Sequence, residues 1–423
     1  MDKFIIHGGK NLEGEVNISG AKNASLALMP ATLLAGGTYK FGNTPRLRDV
    51  TTMMSLLESM GMTFGFEDHT LTIDSSNITN YEAPYEHVKK MRASVYVLGP
   101  LVSRFGFARV SLPGGCAWGP RPVNLHIEGL RKLGADIQLD GGYIVAKAHK
   151  LKGARILFDI SSVGATGNIL MAASLAQGTT IVENAAMEPE ITALAELLVN
   201  MGARIDGIGT SRIEIEGVSA LHPADFTTIP DRIEAGTMLI AAAIAGKPGR
   251  KTKVARCNPK HFGAITAKLE DAGAKLTLGK DFVELEPPQE IRPVNVTTAI
   301  YSGFPTDMQA QWIALMSLAR GTSVITDTIY FDRFTHVPEL MRLGANITLK
   351  ENVATVIGQR TLKGAKVMST DLRASASLIL AGLASEGTTE VLRVYHIDRG
   401  YEQVEKKLRG LGATIERVAG EEF

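Results

Sequence analysis

Several charged side chains in this chain stand where a helix should present its N-terminus. Lys22, Arg92 and Arg373 lie 14 or 15 residues ahead of a glycine that opens a strand, and Gly164, Glu234 and Asp307 hold the equivalent places. A helix N-terminus already carries partial positive charge, so a cation there is unfavourable unless an anion faces it. A second set, Arg121, Glu190, His261, Arg333 and Arg399, lies 11 to 13 residues before a glycine that ends the following helix. These residues are expected at the start of that helix, where Glu190 would cap it or face solvent. Arginine forks grip carboxylate and phosphate through paired N–H donors, so three arginines at equivalent turns suit a compact ligand carrying both groups. Beside Arg121 runs Leu-Pro-Gly-Gly-Cys-Ala-Trp-Gly-Pro, too rich in glycine and proline for a helix or a central strand. Cys116 on that loop would sit in a positive field, which lowers a thiol pKa and makes it reactive. Cys257 lies in an undistinguished turn and reads as inert. The histidines His126, His336 and His396 lie near the arginine loops and read as structural.

These residues must be positioned by a repeat. Leucine, three residues, glycine, then an apolar residue three further on occurs six times, with the glycines at Gly61, Gly134, Gly202, Gly273, Gly344 and Gly412. Their spacing is 68 to 73 residues. Each copy reads as a helix ended by a glycine at positive φ and followed directly by a strand. An earlier helix rich in Ala, Leu, Ser and Met is expected in each copy, at 22–34, 92–102, 166–176, 234–245, 308–319 and 373–384. Leu151-Lys152-Gly153-Ala154 returns as Leu362-Lys363-Gly364-Ala365, offset by 211 residues, half the chain. Two lobes of three units each follow. The last unit lacks its closing strands, which the N-terminal segment is expected to supply. The expected division is residues 21–229 for one lobe, with 1–20 and 230–423 for the other.

Composition narrows the function. The chain has 423 residues, a formal net charge of +1 and 45% hydrophobic residues, ample for buried cores. Neither charge nor the 6% aromatic content favours nucleic acid. Apolar runs fall far short of a bilayer span, and the N-terminus lacks the pattern of a signal peptide, so no membrane insertion and a cytoplasmic location are expected. Two cysteines make no disulfide framework. No P-loop, Rossmann fingerprint or zinc-type histidine spacing occurs, so no metal is expected.

The motifs themselves carry a resemblance over essentially the whole length. They are Ser19-Gly20-Ala21-Lys22-Asn23, Met91-Arg92-Ala93-Ser94, Leu112-Pro113-Gly114-Gly115-Cys116, Gly119-Pro120-Arg121-Pro122-Val123, Ser162-Val163-Gly164, Phe304-Pro305-Thr306-Asp307, Arg333-Phe334, Asp371-Leu372-Arg373 and Asp398-Arg399-Gly400. In these the chain resembles the UDP-N-acetylglucosamine 1-carboxyvinyltransferase family of enolpyruvyl transferases. The resemblance implies an α/β fold of two lobes, each an inside-out α/β prism of three repeated units, with the active site in the cleft between them. It implies enolpyruvyl transfer from phosphoenolpyruvate to UDP-N-acetylglucosamine by addition–elimination, in the first committed step of peptidoglycan synthesis, without a cofactor. Asp307 would take the proton from the sugar 3-hydroxyl and Cys116 would protonate the methylene carbon. Asp371 is a further candidate for proton handling. Lys22, Arg121 and Arg399 would hold the phosphate, and Arg333 and Arg373 the carboxylate, with Asn23 beside them. Asn23, Arg92, Arg121, Pro122, Val123, Asn124, Leu125, Ser162, Val163, Gly164, Asp307 and Ile329 would contact the UDP-sugar.

The chain departs from the family's usual residues at Ile160 and Ser161, where a lysine is common, and at Asn124, Met187 and Asp332. The related 3-phosphoshikimate 1-carboxyvinyltransferases lack an equivalent of the cysteine loop, which argues against shikimate 3-phosphate as the acceptor. A paralogue that binds UDP-sugar without turnover is disfavoured by the presence of Cys116, Asp307 and Arg399.

Overall fold

The computed structural model describes residues 2–112 and 123–419. The chain forms two compact units, Gly20–Ile229 and a second made of Met1–Ser19 with Pro230–Phe423. Each unit has its own buried apolar core.

Among the described residues, six four-stranded sheets share one topology, three in each unit. In each, an edge strand runs parallel to a second strand, which pairs antiparallel with a third, and that one antiparallel with a fourth. In the Gly20–Ile229 unit, Phe226–Thr227 lies parallel to Thr38–Gly42, which pairs with Thr70–Asp74 and through it with Thr63–Glu67. The other unit repeats the plan with strands from both ends of the chain. Lys366–Met368 pairs with Thr388–Leu392, which pairs with Asp2–His7, and that strand pairs with Thr414–Ala419 in the register Phe4 to Arg417. Gly14–Asn17 is the parallel edge strand beside Thr252–Ala255. Each sheet has one wet face. In Thr38–Gly42, Tyr39 and Phe41 are buried while Thr38 and Lys40 are exposed, the alternation of a half-buried strand.

The helices these sheets cover are apolar all round, as a buried helix must be. In the Pro230–Phe423 segment they are Arg232–Ala245, Gln309–Met316 and Leu372–Ala384, each packed on the other two. In the Gly20–Ile229 unit they are Lys22–Ala31, Leu98–Phe105 with the preceding 3-10 turn Arg92–Val97, and Val163–Ala173. Several serines and threonines in these helices, or just past their ends, bond back to carbonyls one turn earlier. Ser174 Oγ reaches Leu170 O at 2.8 Å and Ser317 Oγ reaches Ile313 O at 2.8 Å.

The repeat glycines have two distinct physical reasons. All six that end the second helices adopt φ between 94° and 107°. A Cβ at Gly134 or Gly344 would meet nothing within 4 Å, so backbone conformation alone demands glycine there. In the duplicated Leu-Lys-Gly-Ala motif the demand is close approach. A Cβ on Gly153 would stand 2.3 Å from Thr179 O, and one on Gly364 would stand 2.3 Å from Thr388 O.

Candidate active site

The six buried helices begin, or are entered through a 3-10 turn, at the aligned positions. Lys22 opens its helix, Arg92 opens its 3-10 turn, Gly164 and Arg373 are second residues, Glu234 is third, and Asp307 sits in the turn Thr306–Met308. Arg333 and Arg399 differ from expectation. Arg333 lies on the linker ahead of the helix Val337–Arg342, and Arg399 ends a 3-10 turn ahead of the helix Val404–Gly410. That leaves the Arg333 side chain free of the helical stagger. Glu190 differs too: it is only 5% exposed inside the first turn of Pro189–Asn200.

In the unit that holds Pro230–Phe423, three of these residues meet. The two oxygens of Asp307 are held by separate arginines, Arg333 Nη1 at 2.8 Å and Arg373 Nη2 at 2.7 Å. Both guanidiniums are buried, at 10% and 7% side-chain exposure, and Asp307 remains 24% exposed. Burial opposes the charge of Arg373, but Asp307 and then Tyr401 outweigh it, so this guanidinium is held above its ordinary value. Its Nη1 donates to Tyr401 Oη at 3.3 Å, and that hydroxyl lies 2.8 Å from Thr237 Oγ1. Gln311 Nε2 donates to Asp307 O at 3.0 Å and reaches the same two hydroxyls, fixing the turn from below.

Arg333 is aimed by a second relay. Its Nη1 donates to Thr306 Oγ1 at 3.1 Å, and Thr306 Oγ1 donates to Asp327 Oδ2 at 2.7 Å. The other oxygen of Asp327 accepts the backbone N–H groups of Ile329 and Tyr330, both at 2.9 Å, so the Ile329 loop and the Asp307 turn share one buried carboxylate. Asp371 caps Leu372–Ala384 through the N–H groups of Arg373 and Ala374. Beside it His336 is 1% exposed, and burial pushes its imidazole down to about 4, opposed by Asp371 and helped by Arg333. Arg399 is half-buried at the end of the 3-10 turn Val394–Arg399. Its neighbour Asp398 is gripped by both Nη atoms of Arg417, at 2.6 and 3.0 Å. A cavity of about 240 Å³ opens next to the Asp307 turn, with Pro305, Tyr301, Arg232, Lys260 and His261 in its wall.

The Gly20–Ile229 unit holds Lys22, Asn23, Arg92, Val123, Asn124, Leu125, Ser162, Val163 and Gly164. Lys22 Nζ lies 3.4 Å from Asp49 Oδ2, and that carboxylate is buried. Ser162 caps Val163–Ala173 by accepting from Ala165 N at 3.3 Å. Asn124 is exposed at the first turn of Asn124–Lys132. Cys116, Arg121 and Pro122 lie outside the described residues. Cys257 is 3% exposed, and burial pushes its thiol up to about 11, which keeps it protonated and unreactive.

Glu234 holds the aligned place without facing a ligand. Its Oε2 accepts Ser19 N at 2.7 Å and its Oε1 meets Lys407 Nζ at 2.6 Å, so it anchors the end of the N-terminal segment. Sequence reasoning missed Asp327, Tyr401 and Gln311. The legible signal was Gln309 and Gln311, two amides inside an apolar helix, both fully buried.

Paired units of this topology are the fold of the enolpyruvyl transferases. The enolpyruvyl transferase NikO from Streptomyces tendae matches with a TM-score of 0.89 at 27% identity, over 99% of each chain. An EPSP synthase from Acinetobacter baumannii shares the fold, with a TM-score of 0.76 at 20% identity, over 99% of this chain and 100% of that one. The family profile described as EPSP synthase (3-phosphoshikimate 1-carboxyvinyltransferase) matches residues 6–408. The UDP-N-acetylglucosamine 1-carboxyvinyltransferase of Chloroherpeton thalassium is 59% identical over 426 residues, covering 100% of this chain and 99% of that protein. That of Geotalea daltonii is 56% identical over 418 residues, covering 99% and 100%. The chain belongs to the UDP-N-acetylglucosamine 1-carboxyvinyltransferase family. Among the described residues no helix is long and apolar enough to cross a membrane.

Proposed function

We propose that this protein transfers the enolpyruvyl group of phosphoenolpyruvate to the 3-hydroxyl of UDP-N-acetylglucosamine, releasing phosphate. The observation that carries the reading is the Asp307 carboxylate held between Arg333 and Arg373 in a chain 59% identical to a relative of that name.

The chemistry follows from those groups. Asp307 takes the proton as the sugar O3 forms its bond to C2 of phosphoenolpyruvate, while Cys116 delivers a proton to the methylene carbon. Loss of a proton from the resulting methyl group and departure of phosphate from C2 then restore the double bond. Arg333 and Arg373 serve the substrate carboxylate with N–H donors that are already buried and oriented, so little reorganisation accompanies the reaction. Asp371 lies two residues before Arg373 and caps its N–H, and is the candidate for handling the second proton. Lys22, Arg121 and Arg399 bind phosphate, with Asn23 adjoining Lys22. Arg92, Val123, Asn124, Leu125, Ser162, Val163, Gly164 and Ile329, with Asn23, Arg121, Pro122 and Asp307, bind the UDP-sugar. A general base contributes on the order of 10²- to 10⁴-fold, so Asp307→Ala should lose at least that in kcat.

The deciding experiment mixes the pure protein with phosphoenolpyruvate and either UDP-N-acetylglucosamine or shikimate 3-phosphate, and follows phosphate release. Release with the UDP-sugar alone is expected. Release with shikimate 3-phosphate alone would overturn the assignment.

A further inference from the structure

His126 is unabsorbed by this mechanism, yet its surroundings determine its proton. The ring is 6% exposed, and its Nδ1 lies 2.8 Å from Nδ2 of Asn168, a residue buried within Val163–Ala173. Two backbone groups fix which way the Asn168 amide points. Gly99 N–H can only donate, and it meets Asn168 Oδ1 at 2.8 Å. Val95 O can only accept, and it meets Asn168 Nδ2 at 2.9 Å. The second hydrogen on Nδ2 must therefore go to His126 Nδ1, which acts as the acceptor. The imidazole proton consequently resides on Nε2. Burial pushes the ring down to about 4, so near neutral pH it stays in that uncharged form.

The edge bearing Nε2 lies against the first turn of Val163–Ala173. A Cβ at Gly164 would stand 3.0 Å from both Cε1 and Nε2, so glycine is what admits the ring there. Nε2 has no hydrogen-bond partner among the described residues. Ser162 takes the Ala165 N–H, and the amides of Val163 and Gly164 precede the first intrahelical acceptor. The Nε2–H thus lies beside the partially positive end of an 11-residue helix.

We infer that the Nε2–H of His126 donates to an oxygen of a nucleoside diphosphate held at the N-terminus of Val163–Ala173. The inference rests on the UDP-sugar reading of Ser162, Val163 and Gly164, and it adds a binding residue with a defined tautomer. Asn168 acts through it as a positioning residue.

Two measurements test it, both with UDP alone as the probe. Titration calorimetry on wild type and His126→Leu, each shown by thermal unfolding to be folded, should find UDP binding weakened roughly ten- to a hundredfold, as for a hydrogen bond to a charged acceptor. The KM for phosphoenolpyruvate should stay unchanged. Nitrogen-15 NMR of wild type should show a neutral His126 protonated on Nε2, whose resonance moves as UDP saturates the protein. Equal UDP affinity in the variant, or a resonance indifferent to UDP, overturns the inference while leaving the enolpyruvyl transfer reading intact. Failure of the wild type to bind UDP while phosphate release with UDP-N-acetylglucosamine persists would likewise overturn the inference, whereas absence of that release would sink the transfer reading on which it rests.

Discussion

Replacing Asp307 with asparagine keeps the shape of the turn and removes an anion shared by two buried guanidiniums. The donor nitrogens of Arg333 and Arg373 bind opposite oxygens of that carboxylate at 2.8 and 2.7 Å, which places them at most about 8 Å apart. At an effective dielectric near 20, two unit charges about 8 Å apart repel by roughly 2 kcal/mol. Replacing one acceptor oxygen by an amide NH₂ also removes one of the two charge-assisted hydrogen bonds. The 24% exposure of Asp307 screens part of it, so a net loss of about 2–3 kcal/mol is expected. For a unit of about 210 residues that corresponds to a fall of roughly 5–10 °C in melting temperature. The same substitution should make the paired cations a better anion site. Inorganic phosphate or phosphoenolpyruvate should therefore raise the melting temperature of Asp307→Asn more than that of wild type. Differential scanning fluorimetry with and without each anion measures both effects. A variant that melts like wild type and gains no extra anion stabilisation would refute the view that Asp307 neutralises these two arginines.

Three further outcomes are expected. Fosfomycin, added with UDP-N-acetylglucosamine, should modify Cys116 and leave Cys257 untouched, because burial holds the latter thiol near 11; peptide mass spectrometry after exposure would detect the reverse. Gly344→Ala should destabilise by about 1–2 kcal/mol without touching a neighbour, since φ is 94° and the Cβ would meet open space; a urea midpoint equal to wild type would contradict this. Acid should weaken the fold through His126 and His336. Both are held down to about 4 against about 6.5 unfolded, so the unfolded chain binds more protons between those values and stability falls as pH drops from about 6.5 toward 4. Each histidine accounts for up to about 3 kcal/mol, and His336→Phe should show a shallower fall in urea midpoint between pH 7 and 4.5 than wild type does.

What the sequence determined by itself was local and periodic. A helix that must stop and turn at once into a strand demands positive φ, only glycine adopts it cheaply, and all six spaced glycines carry it. The apolar helices with serine and threonine were legible because a backbone carbonyl one turn away satisfies many of these hydroxyls. The aligned charges at the helix starts were legible for the same reason, since a helix end is a local fact. Tertiary structure alone decided which of them face each other. Asp307 meets Arg373 across 66 residues of sequence, and Arg333 arrives from a linker that the periodicity had assigned to a helix start. Glu234, at an equivalent position, was diverted to Ser19 and Lys407, which no spacing could reveal. The proton on His126 belongs to the same category. It is settled by an amide whose orientation depends on two backbone groups from Val95 and Gly99, brought to Asn168 only by the packing of one helix on another.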